Sequence, residues 1–210
     1  MEHQSCVQLV PIFNHLDQQA LDEILEVAVH KRLKKNEYLY QQGDSSEMLY
    51  IIASGEIHVS NLNENGKEML ISILKEGDFV GELSIITKTE HENYAVATKE
   101  TEMCTISYTN FQRLLIKYPS ISLQILEELS NRLQKSQSQA LINSTLQVSE
   151  RLAKYLSDTQ GKLTMTKKNL ASYLGTTPES ISRLLTQFEE DGYLRKKSSK
   201  EFELLKEFEL

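Results

Sequence analysis

The hydrophobic pattern of this 210-residue chain changes period as it runs. Over residues 9–30, Leu16, Leu21, Ile24, Leu25 and Ala28 recur at helical spacing, and Asn14 or Asp17 is placed to start the helix. From about 31 to 108 the pattern turns to short β-type runs: Tyr38–Tyr40, Met48–Ala53, Glu56–Leu62, Glu68–Leu74, Tyr94–Thr98 and Glu102–Ser107. Turns separate them at Gln42-Gly43-Asp44, Ser54-Gly55, Asn63-Glu64-Asn65-Gly66 and Glu76-Gly77-Asp78. Short, regularly spaced strands of this kind predict a sandwich or barrel. Residues 109–145 then read as one long helix, broken near Tyr118-Pro119. Beyond the break, Leu126, Leu129, Leu133, Ser136, Ala140 and Asn143 alternate three and four apart, which is a heptad seam.

The C-terminal third changes again. Leu170, Tyr173 and Leu174 share a face of one short segment, and Ile181, Leu184, Leu185 and Phe188 share a face of the next. Between them lies Gly175-Thr176-Thr177-Pro178, where the Thr177 hydroxyl suits an N-cap and Pro178 the first helical position. The spacing that buries the second stripe leaves Glu179, Ser182 and Arg183 pointing outward together. An acid, a hydroxyl and an arginine on the first turns of a helix can read base edges in a major groove. An ordinary helical hairpin would share the spacing. What separates the two readings is the continuation: Asp191-Gly192-Tyr193-Leu194 turns into a strand, followed by basic Arg195-Lys196-Lys197 and Lys200 and by apolar Phe202 and Leu204. That is a helix-turn-helix with a hairpin wing. Thr166, Lys168, Thr177 and Ser180 join Glu179, Ser182, Arg183 and Lys197 as candidate contacts to double-stranded DNA. A helix-turn-helix commonly works on two half-sites, so the seam is expected to join two copies in a parallel homodimer, with Leu126, Leu129, Leu133 and Ala140 at its core. The alternative is that the seam packs on the chain's own barrel.

Net charge at first argues against a nucleic-acid partner, because the chain carries −7. The charge is unevenly distributed. Residues 146–210 hold 11 Lys and Arg against 10 Asp and Glu, leaving 12 against 20 for the rest. The bases at Lys162, Lys167, Lys168 and 195–200 gather where phosphates would run beside the hairpin and wing. No apolar run reaches the ~18–20 residues of a membrane span, and the N-terminus lacks a secretory pattern, so a cytoplasmic protein is expected. Cys6 and Cys104 are too few for a disulfide scaffold or a cysteine-held iron–sulfur cluster. His3, His15, His30, His58 and His91 show no paired metal spacing. An enzyme built on the barrel would need converging His and carboxylate ligands, and the spacing supplies none.

A Gly-punctuated β-roll, a long helix and a winged helix-turn-helix, in this order, resemble the Crp/Fnr family of bacterial transcription regulators over nearly the whole chain. The resemblance rests on Gln42-Gly43-Asp44, Ser54-Gly55-Glu56, Gly77-Asp78-Phe79-Val80-Gly81-Glu82-Leu83, Ile106-Ser107-Tyr108 and the hairpin. It implies an α+β protein with a cupin-like β-roll sensor over 1–108, a dimerisation helix over 109–145 and a winged helix-turn-helix over 146–210. It implies further that Glu179 reads base edges, that Arg183 contacts a guanine within TTGA-like half-sites of a palindrome, and that RNA polymerase is a further partner. Members that sense cyclic AMP follow Gly-Glu-Leu with an Arg-Ser pair. Here Gly81-Glu82-Leu83 is present, but the segment that should hold the pair reads His91-Glu92-Asn93-Tyr94-Ala95. Glu92 would repel a phosphate and His91 cannot replace a bidentate arginine, which argues against cyclic AMP. Gly81, Glu82, His91, Glu92, Ser136 and Gln137 nonetheless outline an effector pocket. The single N-terminal cysteine argues against the iron–sulfur mechanism of the oxygen-sensing members, so no cofactor is assigned.

Within that family the chain looks most like the Fnr-like proteins of lactic-acid bacteria, in which the resemblance implies a reversible switch between two thiols and a disulfide, here Cys6 and Cys104. Cys104 lies on an alternating strand, where a half-buried inert thiol is the competing reading. A rival to DNA binding is a nucleotide-type binding module that signals to protein partners.

Overall fold

The computed structural model describes residues 4–45, 47–62, 68–87 and 89–208. The expected turn at Asn63-Glu64-Asn65-Gly66 and the histidine His3 lie outside them. The chain divides into two compact units, Met1–Arg132 and Leu133–Leu210.

In the first unit, helix α1 spans Gln4–Leu9 and α2 spans Gln18–Val27. Asp17 caps α2 by accepting from the Ala20 amide at 2.9 Å. The single helix expected over 9–30 is therefore corrected at both ends. Residues 4–9 form a helix of their own, and Val29–Leu33 is strand β1, pairing antiparallel with Thr101–Thr105. Ladder pairing with a distant strand outweighs the local periodicity there. The strands β2 (Tyr38–Tyr40), β3 (Met48–Ser54), β4 (Ile57–Leu62), β5 (Glu68–Leu74), β6 (Phe79–Val80), β7 (Tyr94–Ala97) and β8 (Thr101–Ser107) follow, with α3 (Glu82–Thr87) after β6. They form two four-stranded antiparallel sheets, ordered β1-β8-β3-β6 and β2-β7-β4-β5.

The core between α1, α2 and the first sheet joins Val7, Phe13, Ile24, Ile51, Phe79 and Phe111. A second cluster between the sheets joins Leu39, Ile52, Ile57, Ala95 and Met103. Ser107 caps α4 (Tyr108–Lys117), and Pro119 separates it from α5 (Ser120–Thr145). Helix α5 begins in the first unit, with Ile121 and Ile125 in its core, and ends in the second.

The second unit continues with α6 (Val148–Asp158), α7 (Lys167–Tyr173), α8 (Pro178–Glu190), β9 (Leu194–Lys196) and β10 (Phe202–Leu204). Leu152, Leu156, Leu170, Leu174, Ile181, Leu185 and Phe188 form its core. Among the described residues no helix is long and apolar enough to cross a membrane.

Candidate nucleic-acid interface and sensor core

Helix α8 has the face its spacing predicts. Ile181, Leu185 and Phe188 are buried and Leu184 half-buried, while Glu179 and Arg183 are exposed and Ser182 is half-exposed. Thr177 caps the helix, its Oγ1 accepting from the Ser180 amide at 3.3 Å and lying 3.2 Å from Ser180 Oγ. These two hydroxyls thus shape the start of α8 as well as facing outward. Thr166 does the same for α7, accepting from the Asn169 amide at 3.2 Å. Lys167 Nζ donates to Ser182 Oγ at 3.3 Å. Lys167 therefore belongs to this face although only its charge was legible in the sequence. Arg183 stands between two depressions of about 440 and 560 Å³, one bordered by Ser149 and Ser180, the other by Thr186 and Gln187. Lys168 is exposed on the first turn of α7.

The wing is tied back to the unit. Leu163 N donates to the Lys200 carbonyl at 2.8 Å and Phe202 N to the Gly161 carbonyl at 2.9 Å. Gly161 has φ +78, and a Cβ there would collide with the Phe202 carbonyl, so no other residue fits. Exposed Lys197 and Arg195 each lie 3.8 Å from Glu203 across the hairpin. The α7–α8 face thus joins hydroxyls, an arginine and the lysines that open α7, groups suited to phosphate positioning and base-edge contact, and the wing adds exposed bases of its own.

Chemistry in the first unit is internal. Cys6 of α1 and Cys104 of β8 form a disulfide with Cα atoms 6.3 Å apart, and both are almost fully buried. The structure thus brings together the two thiols 98 residues apart in sequence and fastens α1 to the strand that leads into α4.

The proposed effector pocket is rearranged. Gly81 is buried ahead of α3, and Glu82 is 3% exposed. Arg132 of α5 donates from Nη1 to Glu82 Oε1 at 3.2 Å, from Nη2 to the Phe79 carbonyl at 3.1 Å and from Nε to Glu128 at 3.0 Å. Its guanidinium also lies 4.5 Å from the Phe79 ring centroid. Burial raises the Glu82 carboxyl above its ordinary range, and the Arg132 charge opposes that shift. His91 is buried and stacks on Tyr40 at 3.6 Å, with its backbone joined to Gly43 and Asp44 of the preceding turn. Burial lowers the imidazole and raises the Tyr40 phenol, the latter helped by the Glu82 charge. Glu92, expected to face a ligand, is exposed, as are Ser136 and Gln137. Nothing in the sequence marks Arg132, because a long charged side chain on a helix reads as a solvated face.

On α5, Leu126, Leu133 and Ala140 are exposed. Leu129, expected beside them, is half-buried against the core of the roll, so for this residue the packing on the chain's own barrel prevails. Asn143 is half-buried and engaged inside the second unit. No group of three or more His, Cys, Asp and Glu placed to hold a metal occurs among the described residues.

Residues 30–118 match the family described as "Cyclic nucleotide-binding domain", and residues 150–210 match the "Crp-like helix-turn-helix domain". The chain is 33% identical over 208 residues to the "Probable transcriptional regulator flp" of Lacticaseibacillus casei, covering 96% of this chain and 94% of that protein. It is 33% identical over 203 residues to the "Fumarate and nitrate reduction regulatory protein" of Vibrio cholerae, covering 91% and 79% respectively. The global regulator CLP of Xanthomonas campestris, described as responsive to c-di-GMP, superposes with a TM-score of 0.77 over 90% of this chain and 100% of its own. At 23% identity that likeness speaks for the fold alone.

Proposed function

The chain belongs to the Crp/Fnr family of DNA-binding transcription regulators, and we propose that it is a homodimeric member governed by the redox state of Cys6 and Cys104. The observation that carries this reading is the buried pairing of the two cysteines. A lone disulfide in a protein that is cytoplasmic on this reading suits a sensor better than a scaffold. The names of its relatives, fumarate-and-nitrate and anaerobic regulators, point to the same kind of signal.

A dithiol reductant would give two electrons and two protons to the disulfide, leaving two thiols and a disulfide on the donor. Release of α1 from β8 then alters the layer on which α4 and the start of α5 pack. Cyclic AMP is not the signal in this reading. The Glu82 carboxylate is already bound by Arg132, and His91 and Glu92 offer a phosphate no bidentate donor. Reading of TTGA-like half-sites falls to Glu179, Ser182 and Arg183, with phosphate contacts from Thr166, Lys168, Thr177, Ser180 and Lys197. Leu126, Leu133 and Ala140 supply the dimer contact, and RNA polymerase is the further partner.

The test measures affinity for a palindromic TTGA-like duplex with and without a dithiol reductant, with mass spectrometry of the Cys6–Cys104 peptide in the same samples. A change of affinity that follows the linked peptide and disappears in Cys6→Ser supports the reading. Equal affinity in both states, with the peptide shown to be linked and then reduced, overturns redox control.

A further inference from the structure

The C-terminal end of α5 carries a polar cluster that includes Asn143, the last position of the heptad seam. Arg151 of α6 is 9% exposed, and its Nη1 donates to the Asn143 carbonyl at 3.3 Å and to Asn143 Oδ1 at 3.4 Å. Asn143 Nδ2 in turn donates to the Tyr173 carbonyl at 3.4 Å. Gln139, one turn earlier, donates from Nε2 to Asn143 Oδ1 at 3.1 Å and to the same Tyr173 carbonyl at 3.4 Å. Tyr173 ends α7 and Asn143 lies in the last turn of α5, so both carbonyls belong to turns that lack intrahelical partners. A guanidinium at that point also favours the negative ends of both helices. Two residues beyond Tyr173, Gly175 holds φ +63 in the turn before α8, and a Cβ there would lie 3.2 Å from Arg151 Nη1. One cluster thus touches the end of α5, the body of α6 and the turn that launches α8. Arg151, at its centre, is buried, so its contacts are stronger than solvated ones.

We propose that Asn143 and Arg151 are positioning residues for DNA reading: they fix the direction in which the α7–α8 hairpin leaves the end of α5. The proposal rests on the homodimer reading, because only in a pair of chains does that direction set the distance between two recognition helices. Asn143 then acts within its own chain and not across the seam.

The experiment compares affinity for a single half-site duplex with affinity for palindromes whose spacer is varied by single base pairs, alongside sedimentation of each protein. Asn143→Leu is expected to remain a dimer and keep its half-site affinity. It should lose roughly tenfold on the best palindrome, a size typical of coupling between sites, and its preference among spacers should flatten. Gln139→Leu should move the same way by less, and serves in place of Asn143→Leu if that variant fails to fold. Arg151→Met should match Asn143→Leu, whereas Arg151→Lys, which keeps a cation and a donor, should restore most of the spacer preference. An unchanged spacer profile in dimeric variants overturns the positioning role. So does an equal fall on half-site and palindrome, which would place the effect in the reading surface, or a monomeric Asn143→Leu, which would return Asn143 to the seam. A wild-type chain that itself sediments as a monomer overturns the dimer reading instead.

Discussion

The two units keep their chemistry in opposite places. Met1–Arg132 holds it inside: the Cys6–Cys104 bond, the Glu82 carboxylate under Arg132 and the His91 ring on Tyr40 are all buried or nearly so. Leu133–Leu210 shows it outside, on Glu179, Arg183, Lys168 and Lys197, over a conventional apolar core. Buried polar and redox groups couple strongly to packing, so a change in their state alters stability and conformation. Exposed groups leave the fold unchanged and act on whatever approaches. Perturbing the first unit should therefore register in stability before binding, and perturbing the exposed face of the second in binding alone.

The largest expected effect tests the second half of that contrast. Leu133 is 59% exposed in the single chain, so Leu133→Asp costs the isolated fold little. In a dimer it places a carboxylate on each side of an apolar seam with no partner, which is strongly unfavourable. The variant should sediment as a monomer with no measurable palindrome binding, and its melting temperature should fall only by what association contributes. A dimeric Leu133→Asp would move the contact elsewhere on the molecule.

Next comes the buried bond. Cys104→Ser removes a cross-link spanning 98 residues and puts a hydroxyl into an apolar core. Losing such a link typically costs ~2–4 kcal/mol, with the hydroxyl adding to it. Denaturant unfolding should show a loss of this size, matched in direction by wild-type protein held reduced. Stability that does not depend on reductant would mean that the bond adds nothing to the unit, and the contrast between the two units would weaken.

What was legible from sequence divides along the same line. Most strands, the break at Pro119, the Asp17 and Thr177 caps and the outward face of α8 all follow local period and capping rules, and the structure has them where expected. The exposed site could be read because its residues lie within a few turns of one another. The buried one could not. Arg132 reaches Glu82 from 50 residues away and Arg151 turns inward to Asn143, and nothing in a helical repeat distinguishes such an arginine from a solvated one. Helix α1 is too short at six residues to carry a period, and its place depends on packing and the bond to Cys104. The resemblance supplied the pairing of the cysteines, and their burial came only from the fold.

Smaller effects sharpen the exposed side. Arg183→Ala should cost ~1–3 kcal/mol of binding and relax selectivity at one base pair of each half-site, as seen by competition with single-substituted duplexes. Unaltered selectivity would remove Arg183 from base readout. Lys168→Ala should instead weaken every duplex alike and reduce the slope of log affinity against log salt by ~1 for each phosphate left without its lysine. A sequence-dependent loss would make Lys168 a reader and not an anchor. Neither substitution should shift the melting temperature.

The smallest effect belongs to the buried side and is a matter of pH. His91 is held below its ordinary value of 6.5, chiefly by burial, with Asp44 acting in the opposite sense. In the unfolded chain the ring takes up a proton near 6.5, while in the fold it resists until a lower pH. Between those two values the unfolded state binds more protons, so stability is complete above 6.5 and declines as pH falls through that window. His91→Phe keeps a ring to stack on Tyr40 but has nothing to titrate. Melting temperatures of the two proteins should therefore converge in slope above pH 6.5 and diverge below it, with the wild type falling faster. Parallel curves across the window would mean that the imidazole charges as readily inside the roll as outside it. The stacked ring on Tyr40 would then be a feature of packing with no electrostatic consequence.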